Sequence, residues 1–96
     1  MDNTEAKAVL AFELRKYRSR SYAELRGRIG SQDDFVTAAP SGKQYQVEVE
    51  FLWDDEPSEN IRVMGAIDDG GWRAMIPLTD SFILSPDGKF IGEDPE

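Results

Sequence analysis

The pattern of apolar and polar positions divides the chain in two. In the first part, apolar residues recur at helical spacing. Ala6, Val9, Leu10, Leu14 and Tyr17 fall three or four apart, with Phe12 beside them, while Glu13 and Lys16 are expected to point elsewhere. Asp2, followed three residues later by Glu5, reads as a capping box ahead of this run. The spacing predicts a helix over about 4–18. Ser21 with Glu24 is a second capping-box pair. It opens a short helical piece over 22–26, closed by Gly27 as a C-terminal cap. The pattern leaves open whether this piece continues the first helix or starts afresh.

Beyond residue 30 the period drops to two. Residues 30–34 read as a polar connector, 35–38 as a short strand and 40–43 as a turn. The clearest strand covers 44–53, where Tyr45, Val47, Val49, Phe51 and Trp53 alternate with Gln44, Gln46, Glu48 and Glu50. One face is thus buried and one wet. A charged loop over 54–60 follows. Next come two apolar runs, 61–67 and 72–76, around Asp68-Asp69-Gly70-Gly71, the composition of a hairpin turn. Pairing Ile67 with Trp72 sets Gly65 opposite Ala74, Val63 opposite Ile76 and Ile61 opposite Leu78 on the core face. Met64 then meets Met75 on the other face. The preceding strand is expected to pair Trp53 with Ile61 and Glu50 with Met64. Pro77 ends the fourth strand or sits at an edge. Residues 81–84 and 89–91 flank Ser85-Pro86-Asp87-Gly88, a turn that puts its glycine in the left-handed region and Leu84 opposite Phe90.

These elements predict an α+β domain in two layers. An N-terminal helix, with or without the short second one, packs on one face of a four- to five-stranded antiparallel meander. The expectation is one domain over 1–96, helical and mildly basic over 1–30, with an acidic sheet over 35–92. Helix-then-meander order is common to cystatin-like and several other small folds, and carries no function by itself.

Composition changes this picture mainly by exclusion. The 96 residues contain neither Cys nor His. Disulfides, thiolate chemistry and imidazole bases or metal ligands are therefore absent. The cysteine-free chain fits a reducing cytoplasm, no apolar run approaches a membrane span, and the polar start at 1–5 does not read as a secretory signal. Charge is uneven. Residues 1–30 carry seven basic and four acidic groups, and residues 31–96 carry four basic and fifteen acidic ones, within a net charge of −8.

Candidate chemistry is sparse. Asp54, Asp55, Glu56 and Glu59 offer oxygen ligands, but without the spacing and central glycine of a calcium loop, and read as a solvated loop. Asp68 and Asp69 read as turn residues rather than as an acid–base pair. Arg15, Lys16, Arg18, Arg20, Arg26 and Arg28, interleaved with Tyr17 and Tyr22, form a basic cluster. It is either a patch for a polyanion or partner, or counter-charge to the acidic half. Overall acidity argues against nucleic acid. Trp53, Trp72 and Tyr17 on the core face, with Arg62 and Arg73, are the candidate lining of a ligand pocket between helix and sheet. Met64 and Met75, together with Arg15, Arg18 and Arg20, are the candidate partner contacts.

The sequence is read as a small non-enzymatic binding or accessory protein acting through protein–protein interaction. It is expected to need no cofactor or metal and to be a monomer or weak homodimer. The alternative is a small-molecule binder with a pocket between helix and sheet. A third reading is a nucleic-acid accessory acting through residues 15–28.

Overall fold

The computed structural model describes residues 1–71 and 76–93. The first helix, α1, spans Asn3–Arg18. The Asp2 carboxylate caps it, accepting from the Glu5 backbone N–H at 3.0 Å. Arg15, Lys16 and Arg18 occupy its last turn, where cations suit the helix dipole. The second helix, α2, spans Tyr22–Arg26 and is separate. Both arms of its capping box form, Glu24 N–H to Ser21 Oγ at 3.1 Å and Ser21 N–H to Glu24 Oε1 at 3.3 Å. Gly27 caps it in the right-handed region, φ −66°. The left-handed turn comes at Gly30, φ +84°.

Four strands follow: β1 (Gln32–Ala38), β2 (Gln44–Trp53), β3 (Ile61–Asp68) and β4 (Leu78–Leu84). They form an antiparallel meander in the order β1-β2-β3-β4. The arrangement is α+β, with the N-terminal helices packed against the sheet. The β2–β3 register pairs Trp53 with Ile61 and Glu50 with Met64, as the alternation predicts.

Three expectations need correction. First, β1 starts at Gln32, so Asp33 and Asp34 belong to the strand and not to a connector. Aspartate is a poor strand residue, but Asp33 accepts from the Tyr17 hydroxyl at 2.8 Å and from the Arg28 guanidinium, which ties this end of β1 to α1 and to the turn after α2. Second, β3 pairs with residues 78–84. Ile61 faces Leu84 rather than Leu78, Val63 faces Phe82 rather than Ile76, and Gly65 and Ile67 face Asp80 and Leu78. Trp72, Arg73, Ala74 and Met75, the expected partners in the hairpin, lie outside the described residues. Two apolar runs competed for β3. The one containing Phe82 and Leu84 places both residues in the core, at 2% and 4% exposure. The register moves by an even number of residues, so the inward and outward faces of β3 are unchanged. Third, Glu13 is buried, at 4% exposure.

The core lies between α1, α2 and one face of the sheet. Ala6, Leu10, Leu14 and Tyr17 of α1 and Leu25 of α2 pack on Tyr45, Val49, Phe51, Ile61, Val63, Ile67, Phe82 and Leu84. Each fully buried aliphatic side chain there contributes roughly 1.5–3 kcal/mol. Gly65 lies directly beneath α1. The helix runs closest to β3 and β4, so its opposite flank is less covered where it faces β1. The two edges of the sheet differ. Beside β4, Phe90 bridges Leu84 and the Ile91 N–H bonds to the Ile83 carbonyl at 2.9 Å, after the predicted turn with Gly88 at φ +85°. Among the described residues no strand pairs with the outer edge of β1.

Candidate functional site

A broad concavity follows from that off-centre helix. It is a groove of about 710 Å³ between one flank of α1 and the end of β1. Ala8, Val9 and Phe12 form the helix wall, with Ala38, Ala39 and Pro40 opposite. Phe12 is 59% exposed, a large apolar side chain left open to solvent at the groove. Helical spacing explains the wall: Glu5, Ala8, Val9, Phe12 and Glu13 form one stripe next to the stripe that enters the core.

The polar groups of the lining are Asp2, Glu5 and Glu13, with the hydroxyls of Thr4 and Thr37. Glu5 accepts from the buried Tyr45 hydroxyl at 2.8 Å. Burial first, then this hydrogen bond to Glu5, pushes the Tyr45 phenol up to about 12. Glu13 accepts from Lys16 Nζ at 2.7 Å and from Thr37 Oγ1 at 3.1 Å. It joins α1 to β1 in the middle of the groove. A carboxylate has about four acceptor positions, so both glutamates keep unused capacity. Among the described residues no cation belongs to the lining, and Lys16 stands beside it on Glu13. This arrangement offers apolar surface and hydrogen-bond acceptors to whatever enters.

The residues singled out from sequence are scattered. Tyr17 is buried in the core, edge-on to Phe51 with ring centroids 5.6 Å apart. Burial and the bond to Asp33 push its phenol up to about 12. Arg28, and then Tyr17, hold the Asp33 carboxyl below its ordinary value. Trp53 is half-buried against the core at the far end of β2. Arg62 lies on the opposite face of the sheet, donating to Asp54 Oδ1 at 2.8 Å and to Ser81 Oγ at 3.0 Å. Tyr17, Trp53 and Arg62 therefore do not line one pocket, and Trp72 and Arg73 lie outside the described residues. Met64 sits half-buried on the outer face of β3, while its expected companion Met75 is not described.

Much of the basic cluster is occupied within the fold. The Arg18 guanidinium lies 4.8 Å from the Phe82 ring centre and 5.0 Å from that of Phe90, and it bonds to Glu93 at 2.8 Å. Arg20 lies 4.8 Å from the Tyr17 ring, and Arg28 4.7 Å from that of Phe51. Arg15 is exposed on α1. Among the described residues no three carboxylates are grouped so as to hold a metal ion, and no helix is long and apolar enough to cross a membrane.

Phe12, Glu13 and Thr37 escaped the sequence reading. The signal for Glu13 was present: it continues the stripe of Ala6, Val9, Leu10 and Tyr17, and a charge within an apolar stripe marks a buried polar contact. Phe12 falls one position outside that stripe, which is why it is exposed. No family model, curated protein or solved structure matches the chain, so function is argued from this geometry alone.

Proposed function

We propose that this protein is a non-enzymatic binding domain that acts through protein–protein interaction, and that the groove between α1 and β1 is where it grips a partner polypeptide. The observation that carries this reading is the exposed Phe12 side chain at this mostly apolar groove, beside an edge strand with no paired neighbour among the described residues. Exposed apolar surface in a concave, edge-adjacent position is a common setting for peptide docking.

The test is a peptide library displayed on phage and selected on the immobilised chain. Ala8 is exposed on the helix wall, so Ala8→Trp fills the groove without entering the core. Selection on the wild-type chain is expected to enrich clones that fail to bind the Ala8→Trp variant, while the two proteins keep the same thermal midpoint. No enrichment, or clones that bind both proteins equally, would overturn the reading. The volume of the groove also lies in the range of about 300–1,000 Å³ typical of small-ligand sites. That favours, as a second reading, an amphipathic organic amine held by Glu5 and Glu13. Saturable binding of such amines with no peptide enrichment would select it.

A further inference from the structure

We infer that the groove receives an extended, basic segment of a partner protein, which adds to the sheet as a fifth strand beside β1. This rests on the groove being the binding site and names its occupant.

The backbone argument comes first. β1 is seven residues long, carries neither lysine nor proline, and among the described residues has no strand on its outer side. Its outward N–H and C=O groups are a template for another strand. The opposite edge, at β4, is partly occupied by Phe90 and Ile91. A strand added to β1 would run about 4.8 Å outside it. Alternate side chains of that strand would point toward the α1 flank, where Ala8, Val9 and Phe12 form the wall. The other side chains would lie on the outer face beside Val36, which is 62% exposed. One added strand thus covers Phe12 and Val36, two exposed large apolar residues on opposite faces of the sheet. Thr37 and Ala38 are the β1 residues that line the groove, so the added strand would meet it at that end of β1.

Charge selects the occupant. Asp2, Glu5 and Glu13 line the groove, Asp34 stands exposed on β1, and among the described residues the lining holds no cation. Lysine or arginine side chains in the added strand would reach acceptors that retain free lone pairs. A second copy of this chain is the wrong occupant. It would bring another net charge of −8, with its own Asp33 and Asp34 in the pairing strand.

The probes are seven-residue peptides of alternating Lys and Val, titrated into the isotope-labelled chain and followed by backbone amide NMR. The parent peptide is expected to give saturable shifts at residues 32–38 and 5–13. A Glu/Val counterpart is expected to bind at least about tenfold more weakly. Two N-methylated versions, on odd or on even residues, each block one backbone edge. One is expected to match the parent, and the other to lose about tenfold or more, because only one edge faces β1. No saturable shift at about 2 mM parent peptide would overturn the inference, since strand addition with charge pairing should reach millimolar affinity. If both N-methylated peptides bind like the parent, or the Glu/Val peptide does, the strand-adding basic segment is refuted. Binding that Ala8→Trp still abolishes would then leave the groove itself standing. Binding unaffected by Ala8→Trp would remove the groove as well.

Discussion

Gly65 shows how closely single residues are held in this fold. A Cβ built there would lie 2.8 Å from Leu10 Cδ1 and 3.1 Å from Leu14 Cδ2, both in the buried face of α1. Gly65→Ala must push the helix outward or force those leucines off their rotamers. The expected cost is about 1–3 kcal/mol, as for other overpacked cores. Gly27 is the internal control. Its φ is −66°, and the nearest atom to an added Cβ is the Glu24 carbonyl oxygen at 3.4 Å. Gly27→Ala is expected to be neutral or to stabilise by up to about 1 kcal/mol by restricting the unfolded chain. Urea titration of both variants decides the matter, and equal losses at the two sites would contradict the packing described here. Arg18 makes a related point, since its head lies near two phenylalanine rings. Losing such a residue removes packing as well as charge.

At the scale of the elements, the two faces of the sheet carry different energetics. On the outer face, Glu48 shares a hydrogen bond with Glu50 and lies near Asp34 and Asp68. The bond to Glu50, then burial, then the neighbouring negative charges hold the Glu48 carboxyl above its ordinary value. The folded protein therefore holds a proton there up to a higher pH than the unfolded chain does. The stabilising contribution of that proton is complete below the unfolded value and is lost as pH rises through the folded one. Glu48→Gln should accordingly raise the urea midpoint at pH 7, with the gain shrinking toward pH 4. A variant less stable than wild type at pH 7 would refute this. The alternation of β2 made this face and the β2–β3 register legible in the sequence, and helical spacing with the Ser21–Glu24 capping box did the same for the helices. Of the box expected at α1 only the Asp2 arm forms, because the Glu5 carboxylate accepts from Tyr45. The partner of β3 was not legible. The runs 72–76 and 81–84 are both apolar, and only packing of Phe82 and Leu84 beneath α1 distinguishes them. The groove was hidden for a related reason. It depends on where α1 lies across the sheet, and amphipathic spacing reports which face of a helix is buried but not which strands it covers.

At the scale of the whole molecule, the basic helical part and the acidic sheet part meet through specific contacts. Arg28 with Asp33 and Arg18 with Glu93 cross between them. The guanidinium groups of Arg18, Arg20 and Arg28 are also drawn over aromatic rings of the fold. A polyanion would have to win these groups back, and each phosphate contact formed would contribute a salt-dependent slope of about −0.9 in log–log terms for duplex DNA. It would also approach a molecule of net charge −8 whose Cα radius of gyration is only 13.9 Å. At about 0.01 M salt the screening length is about 30 Å, longer than that radius, so at low salt the acidic sheet repels a strand docked on the helices. The expected result is that a short duplex and a short single strand, followed by fluorescence anisotropy, bind more weakly than about 10⁻⁴ M at moderate salt, the weak end of non-specific association. The Arg18→Ala variant should instead lose thermal stability, because its ring contacts and the Glu93 pair go together. Binding tighter than about 10⁻⁶ M, abolished by Arg15→Ala and Arg20→Ala and steeply weakened by salt, would refute the assignment of these arginines to the fold and move the functional surface from the groove to the helices.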